Sequence, residues 1–285
     1  MLKQQIFDRE FTMDTDGAYA KEITQEEFNR FREFIYQQAG IALAPHKQQL
    51  VAGRLLKRLR HHKLSSYSEY LNLVEGSQNS QERQIMVDLL TTNETYFYRE
   101  PAHFEFLQQN ILSNFRGRSF QIWSAASSSG EEAYTLAMIV ANVLGMGQWE
   151  VLGSDISERV LGQARAGIYP MERAKGLPSE LLSKYCLKGV RSQEGALLID
   201  PRIKQRVRFR SINLMQPFHN LPAFDVVFLR NVLIYFDNIT KQKVVRRIID
   251  VIKPGGYLFT SHVESLNGIT DAVQMVRPSI FQKPM

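Results

Sequence analysis

The chain has 285 residues, 44% hydrophobic and 22% charged, enough for one large domain beside a small one, each with an ordinary core. A single cysteine, Cys186, excludes an intrachain disulfide and argues against a cysteine-based zinc site. The net charge of +6 and a pI near 9.3 point to an acidic partner without naming it.

Residues 1–20 read as a loose leader. Their start, MLKQQIFDRE, carries charges where a secretory signal needs an apolar core, so the cytoplasm is the expected compartment. The longest apolar stretch, 225–236, is interrupted by Arg230 and Asn231 and is too short to span a bilayer; no membrane insertion is expected. Thr24 and Glu27 form a capping-box pattern that opens a helix. Phe28, Phe31, Ile35 and Ala39 follow at helical spacing, and Gly40 suits the stop. A second helix is expected over about 46–62, with Leu50, Leu55 and Leu59 as its buried edge. Two shorter helices are expected near 66–75 and 80–90. Four helices without a strand predict an α-helical domain over 21–90, joined by a connector, 91–101, to a second domain, 102–285.

Beyond Pro101 strands and helices alternate. Strands are expected at 120–124, 150–155, 207–214, 224–229 and 257–261. Helices are expected at 130–144, 157–166 and 240–252. This order predicts an α/β domain with a mostly parallel sheet covered on both faces. Residues 167–206 break the rhythm, and within them 185–187 and 196–199 can pair as a hairpin.

In a doubly wound sheet, ligands bind beyond the carboxyl ends of the strands. After the first strand comes Ser124-Ala125-Ala126-Ser127-Ser128-Ser129-Gly130, small residues that let backbone approach a ligand, followed by Glu131 and Glu132. A tight structural turn explains the run equally well. After the second strand comes Asp155, placed to accept hydrogen bonds from ribose hydroxyls or, alternatively, to cap the helix near Ser157. Glu131 would repel a pyrophosphate but tolerate an ammonium, which favours S-adenosylmethionine (SAM) over a dinucleotide. Arg230 and Asn231 stand where the fourth strand reaches the pocket.

The turn Lys253-Pro254-Gly255-Gly256-Tyr257-Leu258 resembles class I SAM-dependent methyltransferases. Four further runs sharpen this: Thr91 to Glu100 (TTNETYFYRE), WSAASSSGEEAYTLAM from Trp123, SDIS from Ser154 and RNVLIYF from Arg230. Together with Ala39-Gly40-Ile41-Ala42-Leu43 and the basic helix after it, they resemble the CheR family over nearly the whole chain beyond residue 20. The resemblance implies a Rossmann-like methyltransferase domain with a small β-subdomain inserted at 167–206. It implies methyl transfer from SAM to glutamates of chemotaxis receptors, leaving methyl esters and S-adenosylhomocysteine, in sensory adaptation. By motif, Asn93, Thr95 and Arg99 would close over the cofactor, with Arg99 near its carboxylate. Glu131 would hold the amino-acid part and Asp155 the ribose. Asn213 and Leu214 would flank the adenine, and Arg230 and Asn231 would line the floor. Tyr235 is the candidate for orienting the incoming glutamate, so Arg99 and Tyr235 stand as the catalytic pair. The triple serine departs from the mixed small residues expected of the family.

A glutamate side chain, with an ordinary pKa of about 4.3, is ionised at neutral pH and needs no general base. His219 and His262, the histidines nearest the pocket motifs, are read as structural or solvent-facing. No metal is expected. Two rivals remain: a nucleic-acid methyltransferase and a SAM-sensing module without catalysis. The strand-four segment lacks the Asn/Asp-Pro-Pro-aromatic run of amino methylation, and no nucleic acid is expected as partner. A monomer is expected.

The segment 46–63 holds six Lys/Arg and no acid. Arg54, Lys57, Arg58 and Arg60 are candidates for docking an acidic receptor helix, against a merely solvated face as the alternative. Residues 170–210 hold ten Lys/Arg and four Asp/Glu. Some CheR proteins use the inserted subdomain to grip a peptide at the receptor C-terminus. Here the turn around Val190-Arg191 and the return through Leu197-Leu198 match that pattern imperfectly. A three-stranded subdomain is expected, with the peptide tether the less favoured of the two outcomes.

Overall fold

A computed structural model describes residues 22–76, 78–117 and 119–285. The leader expected over 1–20 lies outside them. Helix α1, Gln25–Ala39, opens on the full capping box: Thr24 accepts from the Glu27 amide and Glu27 reaches back to the Thr24 amide. It stops at Gly40, whose φ of 72° is left-handed. Then come α2, Gln48–His62, α3, Tyr67–Glu75, and α4, Ser80–Leu90. Their apolar edges meet in one core around Phe28, Phe31, Leu55, Tyr70 and Met86. Residues 45–47 form a short 3-10 turn, so α2 starts slightly later than its sequence suggests. Val51, Leu55 and Leu59 are its buried edge. Leu50 is instead 36% exposed, because it turns away from the helical core.

Helix α5, Pro101–Phe106, continues as π-helical turns through Leu112; the strand-and-helix alternation had not signalled it. Strand β1, Phe120–Ala125, leads to α6, Glu131–Leu144, then β2, Trp149–Asp155, and α7, Glu158–Ala166. The insertion supplies β3, Ile168–Pro170, α8, Ser179–Tyr185, β4, Cys186–Lys188, and β5, Ala196–Ile199. Its three strands form a separate antiparallel sheet in the order β3-β5-β4, as expected. The chain returns through α9, Pro201–Lys204, to β6, Val207–Ser211, β7, Phe224–Phe228, α10, Asn238–Asp250, and β8, Ile252–Phe259. The Lys253-Pro254-Gly255-Gly256 turn is drawn into β8, with a register shift opposite Phe224 and Val226. Strands β9, Gln274–Arg277, and β10, Ile280–Gln282, close the chain as an antiparallel hairpin that the sequence reading did not foresee.

The main sheet runs β6-β2-β1-β7-β8-β10-β9, with its first five strands parallel. One face packs on α5 and α6 around Phe104, Leu136 and Phe228. The other packs on α10 around Trp123, Val227 and Ile248. Strand order reverses at β1, which pairs with β2 on one side and β7 on the other. The crevice beyond their carboxyl ends is therefore where a ligand finds backbone groups and loops. The helical domain is fastened over this edge by specific bonds. The Tyr36 hydroxyl donates to Asp237 at 2.8 Å, and the Ala42 amide donates to the Tyr235 carbonyl at 2.8 Å. The Gln84 side chain donates to the Ile156 carbonyl at 2.8 Å. No helix among the described residues is long and apolar enough to cross a membrane.

Candidate active site

A cavity of about 340 Å³ lies where the helical domain meets the carboxyl ends of β1, β2, β6 and β7. Its lining is more apolar than polar and comes from both domains: Ile41, Leu50 and Arg54 on one side, Asp155, Leu214 and Arg230 on the other. The connector, Thr91 to Tyr96, forms its rim.

The loop after β1 bends through backbone conformations that L residues rarely adopt. Ala126 has φ 144°, Ser128 has φ 48° and Gly130 has φ 96°. A Cβ on Gly130 would stand 2.8 Å from the Ala164 Cβ, so this position requires glycine twice over. Two other contacts hold the bend. The Ser128 amide donates to Asp155 Oδ2 at 3.0 Å, and its hydroxyl donates to the Asn93 carbonyl at 2.9 Å. The serine run is therefore more than small: the Ser128 hydroxyl ties the loop to the connector.

Asp155 is 8% exposed and borders the cavity. Its second oxygen accepts the Ser157 amide at 3.0 Å, while Ser157 itself caps α7. Burial pushes the carboxyl up, and the amides of Ser157 and Ser128 oppose that shift. Each oxygen takes one of these bonds and keeps acceptor capacity toward the cavity, which fits a pair of ribose hydroxyls.

Glu131 and Glu132 part company. Glu132 borders the cavity, whereas Glu131 is fully buried behind the loop. One residue advances a helix by a quarter turn or so, so neighbours on α6 cannot both face the ligand. Glu131 accepts from the Ser129 hydroxyl at 2.7 Å and pairs with Arg173 at 2.7 Å. Arg173, from the inserted subdomain, also donates to the Thr95 carbonyl at 2.5 Å and so locks insertion, loop and connector together. Glu132 accepts from the Ser124 hydroxyl at 2.7 Å and pairs with Arg230 at 3.0 Å. Burial pushes its carboxyl up and Arg230 pulls it back.

Arg230, also buried, donates to the Arg99 carbonyl at 2.6 Å and lies over the Phe104 and Phe228 rings. Asn231 sits at φ 58°, held because its amide donates to Glu264 at 2.8 Å. Glu264 also accepts the amides of Ser261, at 2.9 Å, and Ile234, at 3.3 Å, and so shapes the turn that presents Tyr235. Nothing in the local sequence around Glu264 signalled this. Tyr235 is half-buried; burial raises its phenol, while Thr92, Arg99 and Arg54 beside it act the other way.

Of the residues singled out for the cofactor, Asn93, Thr95, Arg99, Asp155, Asn213, Leu214, Arg230 and Asn231 all border the cavity; Glu131 does not. Asn213 spends its side chain on a domain contact, donating to the Gln38 carbonyl at 2.7 Å. The basic helix also divides. Arg54 points into the cavity wall and donates to the Leu90 and Thr91 carbonyls at 3.1 and 3.2 Å. Arg58 is held by both oxygens of Glu82, at 2.5 and 2.8 Å. Lys57 and Arg60 are the exposed pair. His219 is exposed, as read; His262 is half-exposed and joins the buried His103 and Glu100 behind Arg230. Burial, aided by Arg230, pushes the His103 imidazole down to about 3.

Comparison with known proteins agrees with this geometry. Residues 26–91 match the all-alpha domain of CheR methyltransferases, and residues 93–281 match their SAM binding domain. The chemotaxis protein methyltransferase of Salmonella typhimurium is 40% identical over 250 residues, spanning 87% of this chain and 86% of that protein. That of Escherichia coli (strain K12) is 41% identical over 248 residues, spanning 86% of each. Chemotaxis protein methyltransferase 2 of Pseudomonas aeruginosa is 36% identical over 262 residues, spanning 90% of this chain and 93% of that protein. The helical domain, the methyltransferase sheet and the loops that meet at the cavity are thus those of one known family, and the chain belongs to the CheR methyltransferases.

Proposed function

We propose that this protein esterifies glutamate side chains of chemotaxis receptors with the methyl group of SAM, leaving S-adenosylhomocysteine. The observation that carries the reading is the polarity of the cleft between the two domains. Asp155, a buried acid suited to ribose hydroxyls, lies at the sheet end. Arg54, Arg99 and Tyr235 cluster at the connector end, near enough that both guanidinium charges act on the phenol. A cationic mouth with a phenol donor fits an anionic carboxylate acceptor better than a neutral amine.

When bound, SAM supplies a methyl group on a positively charged sulfur. Asp155 would hold the ribose, and Ile212 and Leu214 give the apolar wall that an adenine needs. Glu132, rather than Glu131, is the carboxylate on the wall nearest the Arg230 floor, and it suits the ammonium of the methionine part. Arg99, Tyr235 and the connector would orient a receptor glutamate and keep water from it. No proton has to be removed, because the attacking carboxylate is already ionised.

Incubating the protein with SAM labelled in its methyl group, and in turn with receptor cytoplasmic fragments, nucleic acid or no acceptor, tests the reading. Label that enters the receptor fragment and leaves it in base as methanol supports a glutamate ester. Label on nucleic acid, or SAM binding with no transfer to any acceptor, would replace it by one of the two rival readings.

A further inference from the structure

We propose that Glu100, His103 and His262 form a binding site for a divalent transition-metal ion of the zinc class, on the far side of Arg230 from the cleft. The assignment does not depend on the catalytic reading. No metal was expected from the sequence; Glu100 and His103 lie three residues apart at the start of α5, and His262 joins them from beyond β8.

Ser279, between β9 and β10, fixes the rings. Its hydroxyl donates to the Pro278 carbonyl at 2.6 Å, which uses its one hydrogen. His103 Nε2 lies 2.6 Å and His262 Nδ1 3.2 Å from the same oxygen. With that hydrogen so placed, both nitrogens act as donors in the neutral tautomers that leave lone pairs on His103 Nδ1 and His262 Nε2. These two atoms face Glu100 Oε2 at 3.4 and 3.8 Å. In those tautomers three electron-rich atoms, all within 4.8 Å of one another, converge. His103 is 1% exposed, and among the described residues its Nδ1 has no hydrogen-bond partner. A buried acceptor in that condition costs about 1–3 kcal/mol, and a cation among the three atoms would remove the cost.

Size and charge agree. Zinc bonds of about 2.0–2.1 Å in a tetrahedron set ligand atoms roughly 3.3 Å apart, close to the 3.4 Å between His103 Nδ1 and Glu100 Oε2; the other two separations, 3.8 Å and within 4.8 Å, would close by a small turn of the half-exposed His262. Two imidazoles and one carboxylate suit zinc or cobalt rather than magnesium or calcium, which prefer oxygen. The bound hydroxyl of Ser279 holds both rings from behind, as outer partners do in metal sites. His262 is half-exposed and gives the ion a path from solvent. Arg230 stands 3.4 Å from Glu100 Oε2, as does the His262 amide, but Glu100 and Glu132 together outweigh its charge. An ion on Glu100 would shift Arg230 toward Glu132 and so reach the cleft wall.

Tag-free protein, stripped by a chelator, is titrated with Co²⁺ and followed by its visible absorption, then with Zn²⁺ by calorimetry. The expected result is one equivalent bound, with the intense bands of tetrahedral cobalt, displaced by zinc. His262→Ala changes a half-exposed side chain and should weaken zinc binding roughly tenfold or more, as should Glu100→Gln. His219→Ala should leave it unchanged. Absence of binding up to millimolar metal, or equal affinity in the wild type and both site variants, would overturn the assignment.

Discussion

Arg230 and Glu132 are joined at 3.0 Å across the floor of the cleft, linking the turn after β7 to the first turn of α6. Arg230 is buried and Glu132 mostly so, and each has a second anchor: Glu132 on Ser124 and Arg230 on the Arg99 carbonyl. This pair sets the distance between the two loops that would face the methionine part of the cofactor.

Removing one charge strands the other. Arg230→Met should lower unfolding free energy by about 3–5 kcal/mol, because Glu132 then stays buried beside Glu100 without its cation. Glu132→Gln should cost less, about 1–3 kcal/mol, since Arg230 keeps the Arg99 carbonyl and Glu100. Denaturant unfolding of the two variants reads the order directly; a larger loss for Glu132→Gln would contradict it.

Asp155→Ala should weaken SAM binding by about 1–3 kcal/mol, or roughly fivefold to 150-fold, through lost bonds to hydroxyls. Asp155→Asn keeps one acceptor oxygen and should lie between. Glu131→Ala should act chiefly on stability, by freeing Arg173 and the insertion. Calorimetric titration with SAM separates these outcomes, and equal affinity for Asp155→Ala and wild type would remove Asp155 from the site.

Charge reversal at Lys57 and Arg60 should raise the receptor KM and flatten its dependence on salt, with SAM affinity intact. Arg58→Glu should destabilise the helical domain instead, because it places a second acid against Glu82. Methylation rates at low and high salt, set beside thermal melts, distinguish docking from folding. Unchanged kinetics in the Lys57 and Arg60 reversal would put the docking face elsewhere.

Glu82 carries a pH signature. Although burial acts to raise it, bonds from Arg58, His62 and Tyr70 hold its carboxyl at about 2 in the fold. A depressed carboxylate stabilises the fold fully above its unfolded pKa, and that contribution fades as pH falls from there toward 2. Stability should therefore drop between about pH 4.5 and 2 by roughly 1–3 kcal/mol more in wild type than in Glu82→Gln, which starts lower and changes less. Parallel acid titrations for the two proteins would refute this.

Among the described residues, β4 is an outer strand of the inserted sheet; it carries the exposed Leu187, with the exposed Val190 just beyond it. A receptor C-terminal pentapeptide could add there as a strand. With Val190 and Arg191 in the turn, the expected result is no heat on titration up to millimolar peptide. Micromolar binding would establish the tether.

Much of this protein follows from local rules. The Thr24 capping box, the glycine after α1, and the alternation of apolar strands with amphipathic helices each state their element within a few residues, because capping and periodicity are short-range properties. The family motifs around Asn93, Ser128, Asp155 and Arg230 likewise name loops that do meet at one cavity. Other features had no local signal. The GEE doublet cannot tell which glutamate faces the cleft; the phase of α6 against β1 decides for Glu132. The basic helix reads as one charged face, yet packing turns Arg54 into the cavity and hands Arg58 to Glu82, leaving Lys57 and Arg60 outside. Glu264 and the Glu100, His103, His262 and Ser279 cluster arise where β8 and the final hairpin cross α5. Periodicity and motif spacing cannot see such meetings, since they depend on which distant strands lie side by side in the sheet.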